Sequence, residues 1–305
     1  MIQYNPKEWY RFIFKIHEGD TIRKLFPLII VLALYSGAIV WLEKEYFELS
    51  EKSYIKNIPM MHAILGGVIS LLLVFRTNSA YDRWWEGRKL WGDLTNNSRN
   101  LALKLHHMLP PHDKPHRDFF KKAIPAFAFA LKNHLLSGKA DWELFHAVAH
   151  DSISKRIDRN KHVPLQISNL MYQHLQEAHQ AKQLSDTQLW LLNDEVKSFI
   201  NICGACERIK NTPIPYSYSA FIKKFIFGYV MTLPFGYMFS LGYLSIPIIV
   251  FIFYVLASLE LIAEEIEDPF GTDSNDLPML QISHNIQQNI KDIFADTHSS
   301  SSPKS

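Results

Sequence analysis

IPMMHAILGGVISLLLVFRTNSAYDRWWEGRKLWGDLTNNSRN, residues 58 to 100, changes character once, at Arg76. Before that arginine stand eighteen residues, Ile58 to Phe75, without a lysine, arginine or acid, a length that crosses bilayer hydrocarbon as a helix. After it come Arg83, Arg88, Lys89, Arg99 and Lys104, interleaved with Tyr81, Trp84, Trp85 and Trp91. Aromatic rings favour the headgroup layer and cations favour the inner leaflet, so the run ends at the cytoplasmic face. Trp84, Trp91, Leu94, Leu101 and Leu105 recur at helical spacing. That pattern predicts a polar-faced helix from Asp82 to about Met108, continuous with the span and ended by Pro110 and Pro111.

The rest of the chain can be laid out from this fixed point. Upstream, Leu25 to Leu42 is a second charge-free run, with Arg23 and Lys24 before it, Trp41 at its far end and Pro27 read into its first turn. The mixed, acid-leaning stretch Glu43 to Asn57 makes an outside loop, so residues 25–75 form a first transmembrane hairpin with spans 25–42 and 58–75. Downstream, Lys223 and Lys224 introduce an apolar stretch, Phe225 to Ile262, that is too long for one span and carries only Glu260 as a charge. Spans at 225–241 and 246–262, with a tight outside turn at Gly242 to Ser245, make a second hairpin.

The expected fold is therefore an all-α membrane protein with four transmembrane helices. Residues 76–224 form a helical cytosolic region, with helices at about 113–136, 141–155, 163–180 and 185–210. Both termini are cytoplasmic: an N-terminal segment 1–24 with no signal-peptide pattern, an acidic segment 263–297, and a Ser-rich tail 298–305 expected to be disordered.

Composition excludes several functions. The 305 residues are 48% hydrophobic with net charge +2, which supplies no field for nucleic acid. The only cysteines, Cys203 and Cys206, cannot build a secreted-type disulfide framework. No nucleophile–base set, Gly-rich phosphate loop or complete metal quartet appears, so an enzyme is not expected.

The stretch FRTNSAYDRWWEGRKLWG, with Arg83-Trp84-Trp85 at its centre, closely resembles the segment after the second span of bacterial bestrophins. The segment IEDPFGTDSNDLP, Ile266 to Pro278, resembles the acidic calcium-clasp segment of the same family. Two motifs in the right order at the ends of the right spans extend the resemblance to essentially the whole chain before the tail. It implies a homopentamer around one central pore in a bacterial inner membrane, with lipid and permeating inorganic ions as its other partners. The family default is passive conduction of chloride or other anions, with sodium or potassium selectivity as the direct alternative. A non-conducting scaffold is a further rival.

Carried over residue by residue, the resemblance places the apolar pore neck at Gly67, Leu71 and Phe75, which share a helical face. Gly67 departs from the bulky residue usual there, and Ile64, Val68 and Leu72 line the alternative face. A second, cytosolic constriction falls at Thr187, with Leu184 as its substitute. Glu265, Asp268, Asp273 and Asp276 match clasp positions and offer hard oxygen ligands for Ca2+, the one cofactor the resemblance suggests. TDSND is less acidic than the animal run, and a helix end with an Asp-rich turn held by caps is the plain alternative.

Other signals read as structural. Cys203-Gly-Ala-Cys206 is a single CxxC without a partner motif. The pairs His146/His150 and His112/His116 lack the glutamate of HExxH. His62 is either a pathway residue or exposed at the outer interface. Glu260 and Glu264 are expected to meet cations such as Lys223.

Overall fold

The computed structural model describes residues 21–48, 57–136 and 140–295. The expected tail at 298–305 and most of the N-terminal segment lie outside these residues. What is described is built of helices, with no β-strand among the described residues. It divides into two compact units. The first comprises Met1–Trp84, Pro213–Asp268 and Asp273–Asn275; the second comprises Trp85–Thr212, Pro269–Thr272 and Asp276–Ser305.

In the first unit, helix α1, Thr21–Trp41, runs into a π turn at Leu42–Tyr46. It begins before the expected span, so Pro27 lies inside the helix and not in its first turn, depriving the Arg23 carbonyl of its helical donor. Side chains hold the added turn. Thr21 Oγ1 lies 2.9 Å from Ser258 Oγ, and Lys24 donates to Glu265 at 2.7 Å. Helix α2, Ile58–Met108, is continuous over 51 residues, as its pattern predicted. After four described helices of the second unit, the chain returns to the first with α7, Tyr216–Thr232. It starts ahead of the expected span because Pro215 sets the helix entry and the amphipathic YSYSAFIKK continues the helix that the apolar run alone did not mark. Pro234, which lacks an N–H, separates α7 from α8, Pro234–Leu241. A 3-10 turn, Gly242–Leu244, leads to α9, Ser245–Glu267. Gly242 takes φ +54°, the conformation that makes this turn cheap for glycine. Asp268 ends α9 in an extended conformation because Pro269 follows it.

By length and composition, Thr21–Tyr46, Ile58–Met108 and Tyr216–Glu267 can cross a membrane, and the last contains the Gly242 turn. Leu32, Ile69, Leu73, Ile226, Val230 and Ile249 pack among these helices. In lipid such contacts act through close packing and hydrogen bonds, since lipid is as apolar as leucine. Gly236 shows the closeness: a Cβ there would stand 2.5 Å from Pro59 Cδ. His62 is buried, its Nε2 2.9 Å from Thr232 Oγ1. That corrects the expectation of interfacial exposure.

In the second unit, the lower half of α2 buries Trp91, Leu94, Leu101 and Leu105 completely. The same unit holds α3, Lys114–Leu135; α4, Trp142–Ser154; α5, Val163–Gln180; and α6, Asp186–Asn211, with α3 packed against α4 and α5, and α5 against α6. Each start is capped by the side chain before it. Asp113 accepts from His116 N, Asp141 from Leu144 N, and His162 from Leu165 N, while Ser185 and Gln188 form a capping box. These caps explain why the sequence reading of the four helices lands within a residue or so of their ends. The last helix, α10, Met279–Ala295, was not anticipated.

Candidate functional site

The N-terminal part of α2 has two faces. His62, Ile69, Leu73, Arg76 and Ala80 form a buried stripe against neighbouring helices. At roughly 100° per residue, Gly67, Leu71 and Phe75 fall on the opposite side. Leu71 is 57% and Phe75 56% exposed, and a Cβ on Gly67 would meet nothing within 4 Å. Ile64 and Val68 are exposed as well, but Leu72 is half-buried and its carbonyl accepts from Tyr218. The chain therefore presents an apolar strip at Gly67, Leu71 and Phe75 that none of the described side chains covers.

At the inner end of this helix the two sequence motifs meet. Arg76 is 1% exposed and donates to Glu267 at 2.6 Å, with Glu260 3.5 Å from its Nε. Arg83 Nε donates to the Glu267 carbonyl and Trp84 Nε1 to the Asn275 carbonyl, each at 3.0 Å. Glu267 Oε1 also accepts from Ile214 N at 2.7 Å. The Arg83-Trp84 pair thus fastens the chain on both sides of the acidic turn. Its donors reach backbone carbonyls, which no sequence pattern exposes. Lys223 meets Glu264 at 2.8 Å, as expected.

Within the acidic segment, Glu265 is buried and both its oxygens are engaged, Oε1 by Lys24 and Oε2 by Asn275 at 2.8 Å. Asp268 and Asp273 of the same unit are exposed, and Asp276, in the second unit, is buried. Of the two candidates for a cytosolic constriction, Thr187 is exposed in the first turn of α6 and Leu184 is 3% exposed, packed inward.

The remaining titratable groups regroup in ways the sequence did not suggest. Cys203 and Cys206 are buried free thiols on α6. Burial, reinforced by Glu207, pushes the Cys203 thiol up to about 12, and burial likewise raises the Cys206 thiol. His146 and His150 form no pair; His146 meets Arg159, and His150 has φ +54°. Among the described residues, two groups place metal-ligating atoms within 4.8 Å of one another: His116–His174–Glu177 and His134–His162–Glu207. In the second, both imidazole Nε2 atoms lie 2.6 Å from one oxygen of Glu207. Burial raises the Glu207 carboxyl, yet the hydrogen bonds from His162 and His134 outweigh it and hold the group below its ordinary range. A cavity of about 190 Å³ opens beside His162, Cys203 and Glu207.

Comparison with known proteins gives this geometry its family. Residues 1–292 match the family described as Bacterial/Fungal Bestrophin protein. A voltage-dependent anion channel-forming protein of Nostoc sp. is 33% identical over 295 residues, covering 94% of this chain and 92% of that one. The protein of that name in Escherichia coli K12 is also 33% identical, over 287 residues, with 94% and 92% covered. Among solved structures, a point-substituted form of a bacterial bestrophin homolog from Klebsiella pneumoniae superposes with a TM-score of 0.79 at 27% identity, covering 88% of this chain and 98% of that one. The chain belongs to the bestrophin family, within its bacterial and fungal group.

Proposed function

We propose that the protein is a passive channel for small monovalent anions, one protomer of a homopentamer whose pore neck is lined by Gly67, Leu71 and Phe75 of α2. The observation that carries this reading is the apolar strip on α2 opposite its packed stripe. A strip repeated around a fivefold axis makes a narrow hydrophobic ring, which gates by wetting and drying and not by coordinating the ion. The anionic preference is supported by the name shared by the Nostoc and Escherichia coli relatives. Thr187, exposed at the start of α6, is the residue we propose for the second constriction. The hairpins sit in the bacterial inner membrane, with both termini on the cytoplasmic side.

Reconstitution into a planar bilayer under asymmetric potassium chloride tests the reading. A reversal potential at the chloride equilibrium is the expected result. Reversal at the potassium equilibrium transfers the same pore to cations, and the absence of unitary currents removes the channel reading altogether.

A further inference from the structure

We propose that His116, His174 and Glu177 form a binding site for a zinc-type divalent cation on the paired helices α3 and α5 of the second unit. The site belongs to the second unit and the α2 strip to the first, and nothing in the conduction reading requires it.

The geometry comes first. His116 Nδ1 and His174 Nδ1 face each other at 3.2 Å, and Glu177 Oε2 lies 3.8 Å from His174 Nδ1. Zinc–nitrogen bonds of about 2.0–2.1 Å at a tetrahedral angle put two ligating nitrogens about 3.4 Å apart. The imidazoles already stand at nearly that bite. Glu177, about half exposed one turn beyond His174, has its Oε1 held by Gln173 at 2.9 Å and its Oε2 on the side of the imidazole pair. Two imidazoles and a carboxylate suit zinc and its neighbours better than calcium or magnesium, which prefer oxygen alone.

The surroundings hold these groups ready. His174 is stacked on Phe119 with ring centroids 3.6 Å apart and meets Phe120 edge-on, so its orientation is set before any ion arrives. Asp113 supplies the second, independent observation. It is 3% exposed, its Oδ1 caps α3 at His116 N, and its Oδ2 has no hydrogen-bond partner. A buried carboxylate oxygen without a donor is costly unless a cation offsets it. The charge of Asp113 acts on His174, as do Glu177 and the opposing Arg156, whose guanidinium is engaged by Gln173.

The other group of three serves as an internal contrast. His162 Nδ1 accepts from Leu165 N at 3.1 Å, which places the ring proton on Nε2, the atom aimed at Glu207. A nitrogen that carries a proton has no lone pair for a metal. Binding there would cost the α5 cap, so His134–His162–Glu207 is a hydrogen-bonded cluster. His116 Nδ1 and His174 Nδ1 bond to each other, so one of them carries a proton there, and moving that proton to the same ring's Nε2 frees both lone pairs without breaking a helix cap.

The test uses full-length protein in detergent, titrated with cobalt(II) and with zinc. Wild type is expected to show the visible absorption of tetrahedral cobalt, discharged by zinc. X-ray absorption of the zinc-loaded protein is expected to show two imidazole nitrogens and oxygen in the first shell. Glu177→Gln and His116→Gln should weaken binding about tenfold or more. Asp113→Asn keeps a competent cap while removing the charge, so weakened binding in that variant isolates the electrostatic contribution. His134→Gln should bind as wild type does. The inference is overturned by a wild type without the cobalt band, by a first shell lacking imidazole, by a loss that follows His134→Gln, or by Glu177→Gln and Asp113→Asn both retaining full affinity. The wild-type spectra decide the matter even if His116→Gln fails to fold.

Discussion

Leu71 and Phe75 owe their proposed role to side-chain volume, and Gly67 to having none. Truncating either apolar residue widens a hydrophobic ring and makes it easier to wet, so Leu71→Ala and Phe75→Ala are expected to raise unitary conductance or leak in planar bilayers. Gly67→Leu should lower it, and unchanged currents in all three variants would take α2 out of the pore. Arg76 is a different kind of residue. Buried between Glu260 and Glu267, it cannot be removed without stranding carboxylates, and Arg76→Met is expected to cost about 3–5 kcal/mol. Thermal melting of the detergent-solubilised protein reports this; a melting point equal to wild type would contradict it. Lys223–Glu264, about half exposed, should be worth no more than about 1 kcal/mol in the same assay. The Cys203 thiol, pushed up to about 12 by burial, should resist alkylation at neutral pH. Complete iodoacetamide labelling of the folded protein within minutes would show that α6 opens more readily than its packing suggests.

At the scale of elements, α2 belongs to both units, and its two halves obey different rules. The half before Trp84 packs by close approach among apolar helices; the half after it buries an aqueous-type core of Trp91, Leu94, Leu101 and Leu105. The acidic turn after α9 is fastened from several sides, by Lys24, Arg83, Trp84 and Asn275. A calcium ion entering at Glu265 would have to displace the Lys24 ammonium. Channel currents are accordingly expected to persist on titration with a calcium chelator, and a reversible loss of current would restore the clasp as a ligand site. Lys24→Met tests the same bracing: it leaves Glu265 with Asn275 alone and is expected to loosen the acidic turn, read as faster backbone hydrogen exchange over residues 268–275.

For the whole molecule, native mass measurement is expected to give five copies of the 35.4 kDa chain, and a monomer would remove the pore with its fivefold axis. Much of the architecture is legible in the sequence because the signals are local. Apolar runs of bilayer length, positive residues beside the first three of them, and the caps at Asp113, Asp141, His162 and Ser185 mark where helices run and start. Pro110 likewise marks a stop through its own backbone chemistry, whereas the expected span 225–241 runs through Pro234, where the structure separates α7 from α8. The early start of α7 and the existence of α10 were less legible, since an amphipathic helix next to an apolar or an acidic run is masked by it.

What the sequence determined by itself is the alternation of apolar and polar helical segments, because hydrophobicity, proline geometry and capping act over a few residues and need no partner. Tertiary structure alone decided which side chains meet. His116 joins His174 and not His112, His62 turns inward to Thr232, Leu184 is buried while Thr187 is not, and Arg83 and Trp84 reach carbonyls about 190 residues away. Such contacts depend on the packing of distant helices, and the residue spacing along one chain segment holds no record of them.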